Sequence, residues 1–250
     1  MGDSLGDRMK EYEKDFRTRL PKRQTQILRA DGKAFHTYTR GCEKPFDLKL
    51  IDAMDQCAIV LCKEIQGAQL AFVQSDEISV LIQYHKKFDS QAWFDRQVQK
   101  MVSVAASIAS SEMTVQSANV FGEIRRAAFD ARVFILPEAE VANYFLWRQN
   151  DWTRNSVQML ARSLYSQKQM MNKNNTELQE MIWQKGQNWN DLPTYLKRGR
   201  CVVKETYLPE RAADLNSVGV HRTRWVVDMD IPIFSQDREY IEKHLVLEEG

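Results

Sequence analysis

The sequence predicts an α+β protein, a ferredoxin-like antiparallel sheet backed by helices and followed by a C-terminal helical and two-stranded extension. Two observations predict it. Residues 1–137 read, after an opening helix, as strand, helix, strand, strand, helix, strand. Two acidic turn clusters, Asp31-Gly32 and Ser75-Asp76-Glu77, interrupt apolar runs where that arrangement brings loops together. Residues 138–250 are expected to pack on this core as one compact unit with it.

Each element has its own signal. Residues 1–20 carry Met9, Tyr12, Phe16 and Leu20 at helical spacing. Gln24–Ala30 suits a strand that ends at the Asp31-Gly32 turn pair. Asp47 caps a helix over Leu48–Gln66, with Leu48, Ile51, Met54, Ala58, Leu61 and Ile65 on one face and Gly67 as its stop. Gln69–Gln74 and Ile78–Tyr84 form a hairpin through Ser75-Asp76-Glu77. A helix rich in small residues runs from Gln91 to about Ser111, and Asp130–Leu136 is a strand closed by Pro137. Further helices cover Glu138–Ala161 and Thr176–Gln184, Asn188–Gly199 reads as a loop, and 200–208 pairs with 222–230. The stretches Phe121–Phe134 and Met159–Met181 read as core or subunit interface.

Composition excludes some classes and leaves others open. Of 250 residues, 43% are hydrophobic and 28% charged, ordinary for a globular chain. No apolar run approaches the roughly 20 residues that span a bilayer. The opening MGDSLGDRMKEYEKDF is charged and lacks a signal peptide's apolar stretch. Cys42, Cys57, Cys62 and Cys201 lack CxxC or zinc-site spacing and read as reduced thiols. A cytoplasmic protein with no membrane partner is expected. With 35 basic and 34 acidic residues, binding to nucleic acid requires a local basic patch.

Taken singly, Asp31-Gly32 and Ser75-Asp76-Glu77 are ordinary turn chemistry. Together they fall on neighbouring strands of the predicted sheet. Carboxylates placed close together repel, and a divalent cation resolves the repulsion. Hard oxygen ligands completed by phosphate describe Mg²⁺, and two ions about 3.5–4 Å apart suit in-line phosphoryl displacement. Gly32 lets the backbone approach a ligand and can offer its carbonyl. Lys33, Lys44, Arg96 and Lys100 flank these elements. Arg96 and Lys100 are four apart, so on one helix face they would suit a triphosphate, or form a solvated face. His36 suits a phosphate or a metal-bound water, although a lone histidine is more often structural.

Arg29-Ala30-Asp31-Gly32-Lys33-Ala34-Phe35-His36 resembles the first signature of the tRNA-His guanylyltransferase superfamily, with Lys44-Pro45-Phe46-Asp47 at the family's distance. Gln74-Ser75-Asp76-Glu77-Ile78-Ser79 resembles its second signature, and Phe129-Asp130-Ala131-Arg132-Val133 a third. Trp147-Arg148-Gln149 with Asp151 and Asn155 resembles a fourth, and Asn188-Trp189-Asn190 with Lys197-Arg198-Gly199 the C-terminal motif. The order and spacing of all these motifs carry the resemblance from about residue 5 to 205.

The resemblance implies a polymerase-palm core over 1–137 that adds nucleotides in the 3′-to-5′ direction. Asp31, the Gly32 carbonyl and Asp76 would hold two Mg²⁺, with Glu77 supporting them. Lys44 and Ser75 match residues tied to activation of the RNA 5′ end, and His36 another active-site position. The segment Gly32, Lys33, Ala34, Phe35 and His36 would line the nucleotide site. Arg96 and Lys100 match a triphosphate-contacting region, and Asn155 and Asn188 match polar positions affecting later steps. ATP, and GTP or other NTPs, would be substrates, tRNA the acceptor, and the assembly a homotetramer. Arg148, Arg154, Lys197, Arg198 and Arg200 are candidate tRNA contacts. The run Thr153-Arg154-Asn155-Ser156 departs from the His-Ile-Asn-Asn of enzymes dedicated to tRNA-His. It resembles the Thg1-like branch, whose members carry out template-directed repair of 5′-truncated tRNA. The alternatives are G−1 addition to tRNA-His, a palm-type nucleotide cyclase needing no RNA, and a non-catalytic RNA-binding module.

Overall fold

The computed structural model describes residues 4–84, 90–208 and 221–246. Its centre is a six-stranded antiparallel sheet in the order β4-β1-β3-β2-β5-β6. The strands are β1 (Gln26–Gly32), β2 (Ala68–Gln74), β3 (Glu77–Ile82), β4 (Phe129–Ile135), β5 (Arg200–Tyr207) and β6 (Arg222–Asp228). The helices are α1 (Leu5–Lys14), α2 (Phe35–Tyr38), α3 (Leu48–Glu64), α4 (Val98–Phe121) and α5 (Glu138–Leu164). After them come α6 (Gln167–Met170), α7 (Asn175–Gln184), α8 (Thr194–Arg198) and α9 (Glu239–Glu242). The first four strands and α3 and α4 form the ferredoxin-like arrangement that the sequence predicts.

Strand alternation divides the core. Leu28, Ala30, Ile78 and Val80 face α3 and α4, meeting Met54, Leu61, Met101 and Met113. Ile27, Phe72 and Leu81 face the other way, against Val141 and Phe145 of α5 and Ile231 and Phe234 of the C-terminal segment. The distal half of α5 packs on α7 through Val157, Leu160, Leu178 and Ile182. Asp47 caps α3 as predicted, its Oδ1 accepting from the backbone N–H of Lys49 and Leu50.

The structure revises several sequence-level boundaries. The opening helix stops at Lys14 and buries no residue; Leu5, Met9 and Tyr12 on it, and Phe16 just beyond, stay exposed. β1 runs on through Asp31 and Gly32, because both pair with β4. The helix expected from Gln91 begins at Val98 and extends to Phe121, where Gly122 (φ 74°) caps it. Before it, Phe94, Asp95 and Arg96 adopt positive φ in a 3₁₀ turn, which an α-helix cannot accommodate. The expected loop 188–199 contains a 3₁₀ turn, Trp189–Asp191, and α8. The pair β5–β6 is no separate appendage: β5 pairs with β2 from Leu70–Val203 to Val73–Arg200. Among the described residues no helix is long and apolar enough to cross a membrane.

One buried ion pair pins this junction. Arg200 Nε donates to Asp55 Oδ1 at 2.6 Å, with both side chains 1% exposed. Removing one partner of such a pair strands the other charge. Asp55→Ala is expected to cost about 3–5 kcal/mol, whereas Asp47→Ala, which removes a surface cap, is expected to cost about 1 kcal/mol. Urea unfolding monitored by far-UV circular dichroism measures both.

Candidate active site

The sheet register assembles the acidic groups. Asp31 stands opposite Glu77 on β3 and opposite Asp130 on β4. The β2–β3 hairpin turns through Ser75 and Asp76, with Ser75 at φ 47°. The Gly32 backbone N–H donates to the Asp76 carbonyl at 2.9 Å, which fastens the hairpin tip beside the end of β1. Gly32 itself admits no side chain: a Cβ there would lie 2.3 Å from the Phe35 ring. Phe35 is buried, with its ring centroid 5.1 Å from that of Phe129. Ala34 takes a left-handed backbone (φ 54°) to start α2. Such a residue costs on the order of 1–3 kcal/mol, and strain of this kind gathers at functional sites.

Ion pairing separates the carboxylates into two kinds. Burial pushes the Asp31 carboxyl above its usual range and Asp130 pushes it further, while Arg29, Arg132 and Arg148 partly oppose this. Burial likewise raises Asp76; its hydrogen bonds to Ser75 and to its own backbone oppose the rise, and Asp31 and Glu77 add to it. Neither forms an ion pair with a described basic residue. Glu77 is the opposite case. Arg148 grips it with Nε on Oε1 at 2.7 Å and Nη2 on Oε2 at 2.8 Å.

Two carboxylates raised by burial and like charge, without a cation partner, fit a divalent metal. No group of three or more His, Cys, Asp or Glu side chains able to hold a metal occurs among the described residues. The remaining ligands would come from a backbone carbonyl such as that of Gly32, from water, or from phosphate oxygens. That sparse oxygen set suits Mg²⁺.

Beside these groups opens a cavity of about 530 Å³. Gly32, Ala34, Phe35 and His36 form one wall, and Ser75 and Asp76 the hairpin rim. Residues from three other elements complete it: Phe46, Leu50 and Met54 about α3, Trp152, Met159 and Arg162 on α5, and Arg200 on β5. Lys33 is exposed between the lining residues Gly32 and Ala34, and Lys44 is exposed two residues before Phe46. Asn155 Nδ2 reaches Asp151 at 3.5 Å. Asn188 caps its 3₁₀ turn by accepting from Asn190 N–H at 3.0 Å and lies outside the lining.

Arg96 and Lys100 are not brought to this cavity. Arg96 Nη1 donates to the Leu20 carbonyl, and its backbone adjoins the start of α4. With Lys22, Gln66 and Tyr84 it lines a separate cavity near the start of β2 and the end of β3. Asp31 and Asp76 stand at the opposite end of those strands. The two basic residues also share no helix face, since the 3₁₀ turn intervenes. Arg148 and Arg200, expected as RNA contacts, are buried ion-pair partners at 6% and 1% exposure. Trp152 carried no role in the sequence reading; Asp130 entered only within the third motif, and Met159 and Arg162, read there within a core or interface stretch, line the cavity instead.

Comparison with known proteins finds similar chains. A family model described as Thg1, tRNAHis guanylyltransferase, matches residues 6–137. A solved bacterial tRNA(His) guanylyltransferase (Thg1)-like protein in complex with ATP is 42% identical, with a TM-score of 0.87, covering 98% of this chain and 100% of that one. Its counterpart in complex with GTP gives a TM-score of 0.84 at 42% identity and the same coverage, 98% and 100%. The tRNA(His) guanylyltransferase of Schizosaccharomyces pombe is 28% identical over 221 residues, 82% of each chain.

The raised carboxyls set a sign for stability. A carboxyl whose native pKa exceeds its unfolded value of about 3.9 costs nothing below that value and its full penalty above the native pKa. Native stability therefore falls as pH rises through this window. Asp76→Asn removes the penalty and is expected to raise the melting temperature at pH 8, with the gain shrinking toward pH 4. Added Mg²⁺ should stabilise the parent chain and not the variant, as read by scanning calorimetry. Gly32→Ala is expected to displace Phe35 and destabilise the fold in the same measurement.

Proposed function

The chain belongs to the tRNAHis guanylyltransferase family, and from that membership we propose that it adds nucleotides to the 5′ end of tRNA by template-directed 3′-to-5′ transfer. The observation carrying the reading is that Gly32, Ser75 and Asp76 line a nucleotide-sized cavity, with the Gly32 N–H bonded to the Asp76 carbonyl and Asp31, outside the lining, directly before Gly32 on β1. In the proposed reaction, an oxygen of the tRNA 5′-monophosphate attacks the α-phosphate of ATP and pyrophosphate leaves. The 3′-hydroxyl of an incoming nucleotide then attacks the activated 5′ phosphate, and AMP leaves.

Asp31, Asp76 and the Gly32 carbonyl would hold two Mg²⁺, whose chemistry is to neutralise charge on the phosphate oxygens. The chain's own residues position the reactants. Phe35, Phe46 and Trp152 offer apolar surface for the base, and His36 and Arg162 border the cavity where polar groups of the nucleotide emerge. Ser75 and Lys44 are assigned to the RNA 5′ phosphate, Lys44 as an exposed cation and Ser75 as a hydroxyl on the rim.

Repair of 5′-truncated tRNA is the preferred task over G−1 addition. The segment replacing the dedicated enzymes' motif commits two of its four side chains, Thr153 and Ser156, to the fold. Ser156 Oγ donates to the Leu196 carbonyl and accepts from Trp189, and Thr153 Oγ1 donates to the Lys197 carbonyl. Pairing with the opposite strand would then choose the nucleotide. The exposed apolar row Leu5, Met9, Tyr12 and Phe16 supports assembly, proposed as a homotetramer. The four free thiols suit a cytoplasmic setting.

The test supplies 5′-monophosphorylated truncated tRNA or intact tRNA-His with ATP, NTPs and Mg²⁺, and maps the products by sequencing. Template-matched addition to the truncated substrate is expected, with Asp76→Asn lowering the rate at least about 100-fold. A strong preference for intact tRNA-His would replace the repair task. A cyclic nucleotide formed without RNA would replace the reaction.

A further inference from the structure

Glu77 closes the Ser75-Asp76-Glu77 cluster and stands opposite Asp31, yet its surroundings differ from those of Asp31 and Asp76. It is buried, does not line the cavity, and its oxygens are occupied. A carboxylate offers about four acceptor sites. The Arg148 fork takes one on each oxygen, Ser79 Oγ approaches Oε1 at 3.4 Å, and Arg29 Nε stands 3.9 Å from Oε2. Arg148 is equally committed. Its Nη2 also donates to Asp151 Oδ2 at 2.9 Å, and its guanidinium stacks 4.3 Å from the Trp147 ring centroid. Two residues along β3, Ser79 Oγ shares a 2.8 Å hydrogen bond with Tyr144 Oη.

Resting on the nucleotidyltransferase reading, we infer that Arg148 is a positioning residue for the transfer step, and that Glu77 works through Arg148 rather than on a metal ion or the substrate. The pair joins β3 to α5. The hairpin that β3 forms carries Ser75 and Asp76 at its tip, and α5 carries Trp152, Met159 and Arg162 into the opposite wall of the cavity. One buried, bidentate ion pair thus sets the spacing of two walls that hold different parts of the reactants. A misplacement of about 1 Å at a reacting centre costs on the order of 100-fold. Lysine cannot replace the fork, because its ammonium is a point donor.

Three variants of the full chain, Arg148→Lys, Arg148→Gln and the double variant Glu77→Gln with Arg148→Gln, test this, with kinetics on 5′-monophosphorylated truncated tRNA, Mn²⁺ binding followed by electron paramagnetic resonance, and thermal melting. Arg148→Lys is expected to lower kcat about 10–100-fold and to weaken Mn²⁺ binding severalfold. The KM for ATP should stay within about twofold, since Arg148 does not touch the cavity. The double variant Glu77→Gln with Arg148→Gln exchanges the ion pair for a neutral hydrogen-bonded pair. It is expected to recover the melting temperature, the Mn²⁺ binding and most of kcat lost in Arg148→Gln alone. Arg148→Lys with parental kcat and Mn²⁺ affinity would overturn the inference. So would a double variant that melts like the parent and stays as inactive as Asp76→Asn, because the charge on Glu77 would then act on the metal or the substrate directly. A parent chain that transfers no nucleotide would overturn the functional reading instead, and the Mn²⁺ arm would still judge the brace.

Discussion

Pairing of β1 with β3, from Gln26–Ile82 to Asp31–Glu77, determines where the acidic groups of the site can stand. Side chains on a strand alternate with period two, so a slip of one residue would turn Asp31 into the α3–α4 core. The register that avoids this aligns like charges: Asp31 lies between Glu77 and Asp130. Cross-strand repulsion of that kind costs about 0.2–1 kcal/mol per pair. Leu28, Ile78 and Val80 are fully buried in the same register, and each contributes about 1.5–3 kcal/mol. The apolar face therefore decides the pairing, and the acidic face accepts it.

That imbalance explains how the chain distributes its buried charge. Glu77 and Asp55 have arginine partners, Arg148 and Arg200, each held by bonds of 2.6–2.8 Å. Asp31 and Asp76, at the end of the strands where the cavity opens, have none among the described residues; burial pushes both carboxyls above their ordinary range, as it does the paired Asp55. Both arginines were expected on the RNA-facing surface. Each instead satisfies a carboxylate beside the cavity, one on either face of the sheet. Removing either arginine would add a negative charge near groups that already repel one another. Neutralising the outer carboxylates internally leaves the unpaired ones as the place where a cation gains most.

How much of this could be read from the sequence depends on the range of the signal. Asp31-Gly32 and Ser75-Asp76 sit at turns between alternating apolar runs, so local pattern and the strand order together place them near one another. Asp47 was readable as a cap for the same reason. Arg96 was misplaced because helical spacing to Lys100 is a local cue, and the left-handed run Phe94–Arg96 has no glycine to announce it. Trp152, Arg162 and Arg200 reach the cavity from distant parts of the chain. Nothing in their local sequence marks that convergence. The Arg200–Asp55 pair spans 145 residues and depends on β5 adding to the edge of β2, a pairing that strand pattern alone leaves open.

The same topology bears on how a chain of net charge +1 can address a polyanion. β1 ends at Gly32 opposite Phe129, where β4 begins. β2 runs toward Gln74, and Val73 on it faces Arg200, where β5 begins. The segments leading into β4 and β5 therefore open at the end of the sheet that carries Asp31. Those segments bring Arg125 and Arg126, and Lys197 and Arg198; Lys33 follows β1, and Arg154 projects from α5 beside Asp151. Arg198 is tied to the Ile231 carbonyl and Lys197 to that of Asn190, while Arg125 and Arg154 share their charge with Glu123 and Asp151; with Lys33 and Arg126 they make a basic rim at this end of the sheet. The Debye length at physiological ionic strength is about 8 Å, so phosphates respond to this rim and scarcely to the average charge of the molecule. Sheet topology, and not composition, gathers these basic residues at the end of the sheet that carries Asp31 and Asp76.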